Sequence, residues 1–229
     1  MADVTTFVLA SASPARRGIL VAAGIDPVVA VSGVDEEALL AELPDATSAE
    51  KVTALALAKA RQVASEVAGG SLDAVVVGCD SMLDLDGELV GKPGTVDHAR
   101  GRWDRMAGRR GELVTGHAVV RVHDGAPSAE ITGHATTLVT FAEPTTAELE
   151  AYLATGEPLE VAGAFTLDGR GGWFVEGIEG DPSNVVGLSL PLTRRLLAEV
   201  GVAVTDLWTA GSAGSAGSAA PAGPEPGGA

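Results

Sequence analysis

Ala74-Val75-Val76-Val77 is an unbroken apolar run, three of its four residues β-branched, with no polar side chain at alternate positions. A strand that alternates leaves one face in water, whereas one that does not must be covered on both faces. That is the condition of a central strand in a sheet flanked by helices. The run therefore restricts the chain to an α/β architecture, and its neighbours agree. Phe7 to Ala10, Pro27 to Ser32 and Asp73 to Gly78 read as strands, and Ala49 to Val67 as a long helix. Glu112 to Val122 and Glu130 to Phe141 read as longer strands joined through His123-Asp124-Gly125-Ala126. Thr145 to Thr155 is helical in pattern and Gly172 to Ile178 a strand. Ser183 to Val200, interrupted by Pro191, is a final helix. The mixture implies one α/β domain with a mixed sheet over residues 1–209. From Ala210 onward the sequence GSAGSAGSAAPAGPEPGGA is too small and flexible in composition to offset the entropy of ordering. Residues 210–229 are expected to be a disordered tail.

The formal charge of −16 argues against nucleic acid as a partner. A phosphate-bearing substrate would need the few cations gathered in one place and a divalent metal beside them. The 229 residues include only three lysines, Lys51, Lys59 and Lys92, so their positions carry information. No apolar stretch approaches the roughly 20 residues that span a bilayer, and the N-terminus does not resemble a signal peptide; a cytoplasmic protein is expected. The single cysteine, Cys79, precludes an internal disulfide and reads as a small buried residue.

Two segments carry chemistry. In Leu9-Ala10-Ser11-Ala12-Ser13-Pro14-Ala15-Arg16-Arg17 a strand runs into a serine cap, a proline and two arginines at a helix start. Cations there oppose the helix dipole unless an anion arrives, so the segment suits a phosphate; the alternative is an ordinary capped helix with arginines in solvent. In Gly78-Cys79-Asp80-Ser81 the buried strand delivers an acid at its C-terminal end. A carboxylate there can ligate a hard cation or take a proton from water, although a capping aspartate has the same signature. Asp86-Gly87 reads as a hairpin turn that returns the chain to Gly91-Lys92-Pro93 and brings Lys92 towards Asp80. The competing reading, a dehalogenase-like phosphatase loop built on Asp84 and Asp86, lacks a buried strand before it. Glu36, after Pro27 to Ser32, and Lys59, on the long helix, fit the same site or simply face solvent. His98, His117, His123 and His134 have no paired metal-ligand spacing, so zinc is not expected.

LASASPARR, VDEE, AKA, GCDS, GKP, AGAFTLDG and GDPSNVVGL occur in the order found in Maf-like proteins, and the chain resembles that family over about residues 7–200. The resemblance implies an elongated mixed sheet shared with inosine-triphosphatase-like proteins. It also implies a homodimer and a pyrophosphatase that cuts nucleoside triphosphates to monophosphate and diphosphate with Mg²⁺ or Mn²⁺. Carried over by position, Asp80 is the catalytic acid and a metal contact, with Glu36 a second carboxylate for metal or water. Ser11, Ser13, Arg16, Lys59 and Lys92 would hold the triphosphate. Ala15, Ser81 and Asp168 stand at positions where dTTP/UTP and 7-methyl-GTP branches of the family differ, and the three together match neither branch. A nucleotide-binding regulator of septum formation without turnover is the alternative from another class; retention of Asp80 and the motif cations favours turnover.

Overall fold

The computed structural model describes residues 5–68 and 73–209; the tail expected at 210–229 lies outside them. Strand β1 (Thr6–Leu9) leads into helix α1 (Pro14–Ala22), capped by the Ser13 hydroxyl on the Arg16 N–H. A two-residue strand β2 (Val28–Val29) is followed by a short helix α2 (Glu36–Ala41) capped by Asp35. Helix α3 (Ser48–Val67) opens on a capping box in which Thr47 and Glu50 satisfy each other's backbone N–H groups. Strand β3 (Ala74–Leu85) turns through Asp86-Gly87, both with positive φ, into β4 (Glu88–Val90), the hairpin expected from the sequence. Helix α4 (Val96–Met106), the long hairpin β5 (Arg110–His123) and β6 (Ala126–Phe141), and helix α5 (Thr146–Leu153) follow. A stretch of 3₁₀ turns leads to β7 (Val175–Glu179), α6 (Pro182–Val186) and α7 (Leu190–Glu199).

The seven strands form one mixed sheet in the order β2-β1-β3-β5-β6-β7, with β4 beside the far end of β3. β1 runs parallel to β2 and β3; every other pairing is antiparallel. Because side chains alternate along a strand, Val8, Ala10, Ala74, Val76, Ala118 and Val120 face α3 and bury Ala56, Ala60 and Val63 against them. Phe7, Leu9, Val75, Val77, Cys79 and Val119 face the other way, onto Leu20 of α1 and Leu192, Leu196 and Leu197 of α7. The sheet extends beyond these helices into a third cluster around Trp103, Met106, Leu113, Phe141, Tyr152 and Phe165. Among the described residues no helix is long and apolar enough to cross a membrane.

Several expectations need correction. β3 does not end at Gly78 but continues to Leu85, because β5 pairs with it as far as Asp84 and holds the polar residues in extended form. α4 is absent from the sequence reading: its charges and Gly101 obscure the period, although Ala99, Trp103 and Met106 at i, i+4 and i+7 are its buried stripe. The final helix is two, broken where Gly187 takes φ 118° and restarted by the Ser189 cap, with Pro191 tolerated in the first turn. β6 begins at Ala126 rather than Glu130, and Arg170–Phe174 is a 3₁₀ turn that delays the last strand to Val175.

His117, fully buried on β5, ties α7 to the sheet. Its Nε2 accepts the Ser189 N–H at 2.8 Å while its Nδ1–H donates to the Thr115 carbonyl at 3.1 Å. Burial lowers its pKa from 6.5 to about 4. The unfolded chain therefore takes up a proton as pH falls below 6.5 and the native chain does not. The stabilisation is complete above pH 6.5 and is lost as pH falls towards 4, by on the order of 3 kcal/mol. Urea midpoints should decline over that window in the wild type and less steeply in His117→Gln; equal slopes would remove His117 from the account.

Candidate active site

β3 has β1 beside it over Ala74–Val77 and β4 over Leu83–Leu85, while β5 accompanies it throughout. Residues 78–82 thus have a strand on one side and an open edge on the other. The Ala10 N–H donates to the Val77 carbonyl at 2.8 Å, so the backbone groups of the odd-numbered residues point towards this edge. Asp80 and Ser81 sit in the gap with their side chains on opposite faces of the sheet.

The face towards α3 carries the carboxylate. Gly78 and Gly116 allow the helix backbone to lie almost on the strands: a Cβ at Gly78 would stand 2.2 Å from the Ala56 carbonyl, and one at Gly116 2.2 Å from that of Val52. This contact brings Lys59, one turn beyond Ala56, over Asp80, two residues beyond Gly78. The ammonium lies 2.6 Å from Asp80 Oδ1 and 2.7 Å from Glu36 Oε1, bridging a buried carboxylate and a half-exposed one. Asp80 is 6% exposed, and its Oδ2 is buried with no hydrogen-bond partner. Burial pushes the Asp80 carboxyl above its ordinary value, against the pull of Lys59 and, more weakly, Arg16.

The other face carries Arg16. Its Nε donates to the Gly187 carbonyl at 2.8 Å, Nη1 to the Cys79 carbonyl at 2.9 Å and Ser11 Oγ at 3.0 Å, and Nη2 to Ser81 Oγ at 3.0 Å. Ser81 Oγ in turn lies 3.0 Å from Thr115 Oγ1, which donates to the Asn184 carbonyl. The guanidinium therefore satisfies the open edge of β3 and fastens the β1–α1 loop and the α6–α7 corner to it. Arg17, by contrast, is exposed and pairs with Asp26. Cys79 is wholly buried, and burial raises its thiol pKa to about 11, which leaves it inert as a nucleophile at neutral pH.

Ser11, Arg16, Ser81, Asp80, Lys59 and Glu36 are thus brought together around one strand edge. Ser13 serves as the cap of α1 and donates its N–H to Ser11 Oγ. Lys92 is exposed on the loop after β4, pairing loosely with Glu160 at 4.0 Å and making no ion pair with Asp80. Asp84 accepts from Ser48 Oγ and the Gly87 N–H, and Asp86 pairs with Arg109, so both serve the hairpin. Ala15 and Asp168 line one groove of about 480 Å³ with Pro14, Gly18, Ile19, Glu157, Thr166 and Gly169. Sequence reasoning gave no role to Thr115, Glu157, Thr166 and Asn184: Thr166 and Asn184 lie within the quoted stretches AGAFTLDG and GDPSNVVGL, but a single polar residue in a strand or loop does not disclose its partner. Only their tertiary partners mark them.

The sequence matches the Maf-like protein family over residues 6–200. It is 64% identical over 203 residues to the nucleoside triphosphate pyrophosphatase of Saccharopolyspora erythraea, covering 88% of this chain and 96% of that one. It is 61% identical over 209 residues to the protein of the same name from Rhodococcus jostii, covering 90% and 98%. Over 212 residues it is 54% identical to that of Mycobacterium ulcerans, covering 90% and 98%. With the family's match running from the first strand to the end of the last helix, the chain belongs to the Maf-like family.

Proposed function

We propose that this chain is a nucleoside triphosphate pyrophosphatase in which Asp80 is the general base on the attacking water. The observation that carries the reading is a carboxylate buried at an open strand edge, one oxygen fixed by Lys59 and the other without a partner. The names of relatives 54–64% identical over most of the chain support the same activity.

In the step itself a water oxygen forms a bond to the α-phosphorus and the bond from that phosphorus to the bridging oxygen breaks. The electron pair leaves with diphosphate, and the water proton passes to Asp80 Oδ2. Lys59 holds the carboxylate in place through Oδ1 and is itself held by Glu36. Ser11 Oγ accepts from Arg16 and from the Ser13 N–H, so its own O–H is left to donate to a phosphate oxygen. Lys92, exposed beside the same edge strands, has the freedom to meet the far end of a triphosphate.

The residues also fit a divalent cation. Mg²⁺ commonly takes one or two carboxylates and completes its shell with substrate phosphates and water. Asp80 Oδ2 and the half-exposed Glu36 are donors of that kind, and among the described residues no cluster of three acidic, histidine or cysteine side chains forms a closed cage. When bound, Mg²⁺ or Mn²⁺ would neutralise charge developing on the phosphoryl oxygens. A cytoplasmic setting and the homodimer that the family resemblance implies belong to the same proposal.

Purified protein with Mg²⁺ or Mn²⁺ and a panel of nucleoside triphosphates should yield monophosphate and diphosphate in equal amounts. Stepwise release of inorganic phosphate, or no release from any nucleotide, would overturn the reading.

A further inference from the structure

Helix α4 presents two consecutive side chains to two separate loops. Trp103 is wholly buried, with Phe141, Tyr152 and Phe174 set edge-on or tilted around it at ring-centroid distances of 5.9, 6.2 and 5.7 Å. Its Nε1–H donates to the Ala164 carbonyl at 2.9 Å. The helix is thereby a fixed platform, and Arg102, the residue before, extends from it to the loop that follows β4. Its Nη1 donates to the Gly91 carbonyl, which also accepts the Gly163 N–H at 3.2 Å.

At the other end of this loop the Gly94 N–H donates to the Leu159 carbonyl at 3.1 Å, and the Pro93 carbonyl lies 3.2 Å from His98 Nδ1. Lys92 is carried between these anchors with its side chain exposed. Gly91 has no side chain by which it could be held, and Pro93 has no N–H to give. The direction in which Lys92 leaves the backbone is therefore set by bonds to the peptide groups around it, and Arg102 supplies a charge-assisted one.

Arg102 differs from its neighbours in what its charge meets. Arg100 pairs with Asp97 and Glu150, Arg105 with Glu88 and Arg109 with Asp86, whereas Arg102 forms no ion pair among the described residues. Partial burial lowers its pKa from the ordinary value, against the pull of Glu88. Withdrawing a guanidinium from water without a carboxylate to meet it costs stability, and what it secures here is the carbonyl one residue before Lys92.

We propose that Arg102 is a positioning residue: it fixes the Gly91 peptide so that Lys92 meets the terminal phosphates of the nucleotide, the part that leaves as diphosphate. The proposal rests on the pyrophosphatase reading for the role of Lys92 but makes a separate claim about the residue that places it.

The test uses the full chain in four variants. Arg102→Met keeps the side-chain length and loses its donors, Arg102→Lys restores a cationic donor, and Lys92→Ala is made alone and together with Arg102→Met. Calorimetric binding of inorganic diphosphate with Mg²⁺, and of a nucleoside monophosphate, is measured beside turnover of nucleoside triphosphates. Arg102→Met should weaken diphosphate binding about tenfold, the loss expected of a charge-assisted hydrogen bond, and leave monophosphate affinity unchanged. KM should rise by a similar factor while kcat changes by less than about threefold. Arg102→Lys should recover most of the loss. In the Lys92→Ala background the same Arg102→Met replacement should alter diphosphate affinity by less than about twofold, because residues acting through one contact do not add. A tenfold loss that persists without Lys92 would mean that Arg102 meets the phosphates itself, and equal losses of diphosphate and monophosphate would reduce it to a role in stability. Either result, or unchanged diphosphate affinity in Arg102→Met, would overturn the inference while leaving the pyrophosphatase reading intact. The expected diphosphate pattern in a protein that cleaves no nucleotide would support the inference and overturn that reading instead.

Discussion

Asp80→Asn should lower kcat by about a thousandfold with little change in the melting temperature. The amide matches the carboxylate in shape and can accept from Lys59 through its oxygen, so the 2.6 Å contact has a successor. Lys59 also keeps Glu36, and the buried position loses a charge whose desolvation already opposes ionisation. What disappears is the basic oxygen at Oδ2. The pH dependence of the wild type follows from the same burial. Asp80 must be ionised to accept a proton and its carboxyl is pushed above the ordinary value, so kcat/KM should fall on the acid side through a pKa higher than 3.8. An Asp80→Asn protein that melts normally and retains most of its rate would exclude Asp80 as the base.

The sequence exposes the ends of this arrangement better than its middle. A run of buried-type residues before Asp80 announces the central strand, and the serine-proline start of α1 announces its cap, because both are local patterns of burial or backbone bonding. The strand's continuation past Gly78 is not legible. Asp80, Ser81 and Asp84 look like a loop until β5 is known to run beside them. Arg16 is the clearest case of partial reading: its place in the first turn signals an unsatisfied charge, and the structure supplies oxygens to meet it. Those oxygens belong to the protein's own Cys79, Gly187, Ser11 and Ser81, residues spread over the whole chain. The acidic stretch at Asp35 and Glu36 similarly resolves into a cap and a partner for Lys59, roles that depend on where α3 lies.

Gly78→Ala should destabilise the fold by about 3 kcal/mol and depress turnover as well, although it alters no charged or reactive atom. The added Cβ would meet the Ala56 carbonyl at 2.2 Å and the Ala60 N at 3.0 Å, both backbone atoms of α3 with no rotamer to escape through. Either the helix withdraws or β3 bends, and both movements pull Lys59 away from Asp80, where an ammonium–carboxylate contact of 2.6 Å has no slack. A control separates this from a general penalty on replacing glycine. Gly101 lies inside α4, where an added Cβ would meet nothing within 4 Å, so Gly101→Ala should be stabilising by up to about 1 kcal/mol through helix propensity alone. Urea unfolding and kcat measured on both variants make the comparison. If Gly78→Ala is as stable and active as Gly101→Ala, the close seating of α3 on the sheet does not position the catalytic pair. If it loses both, a strand glycine with no reactive atom of its own is as necessary to the chemistry as the lysine it allows into place.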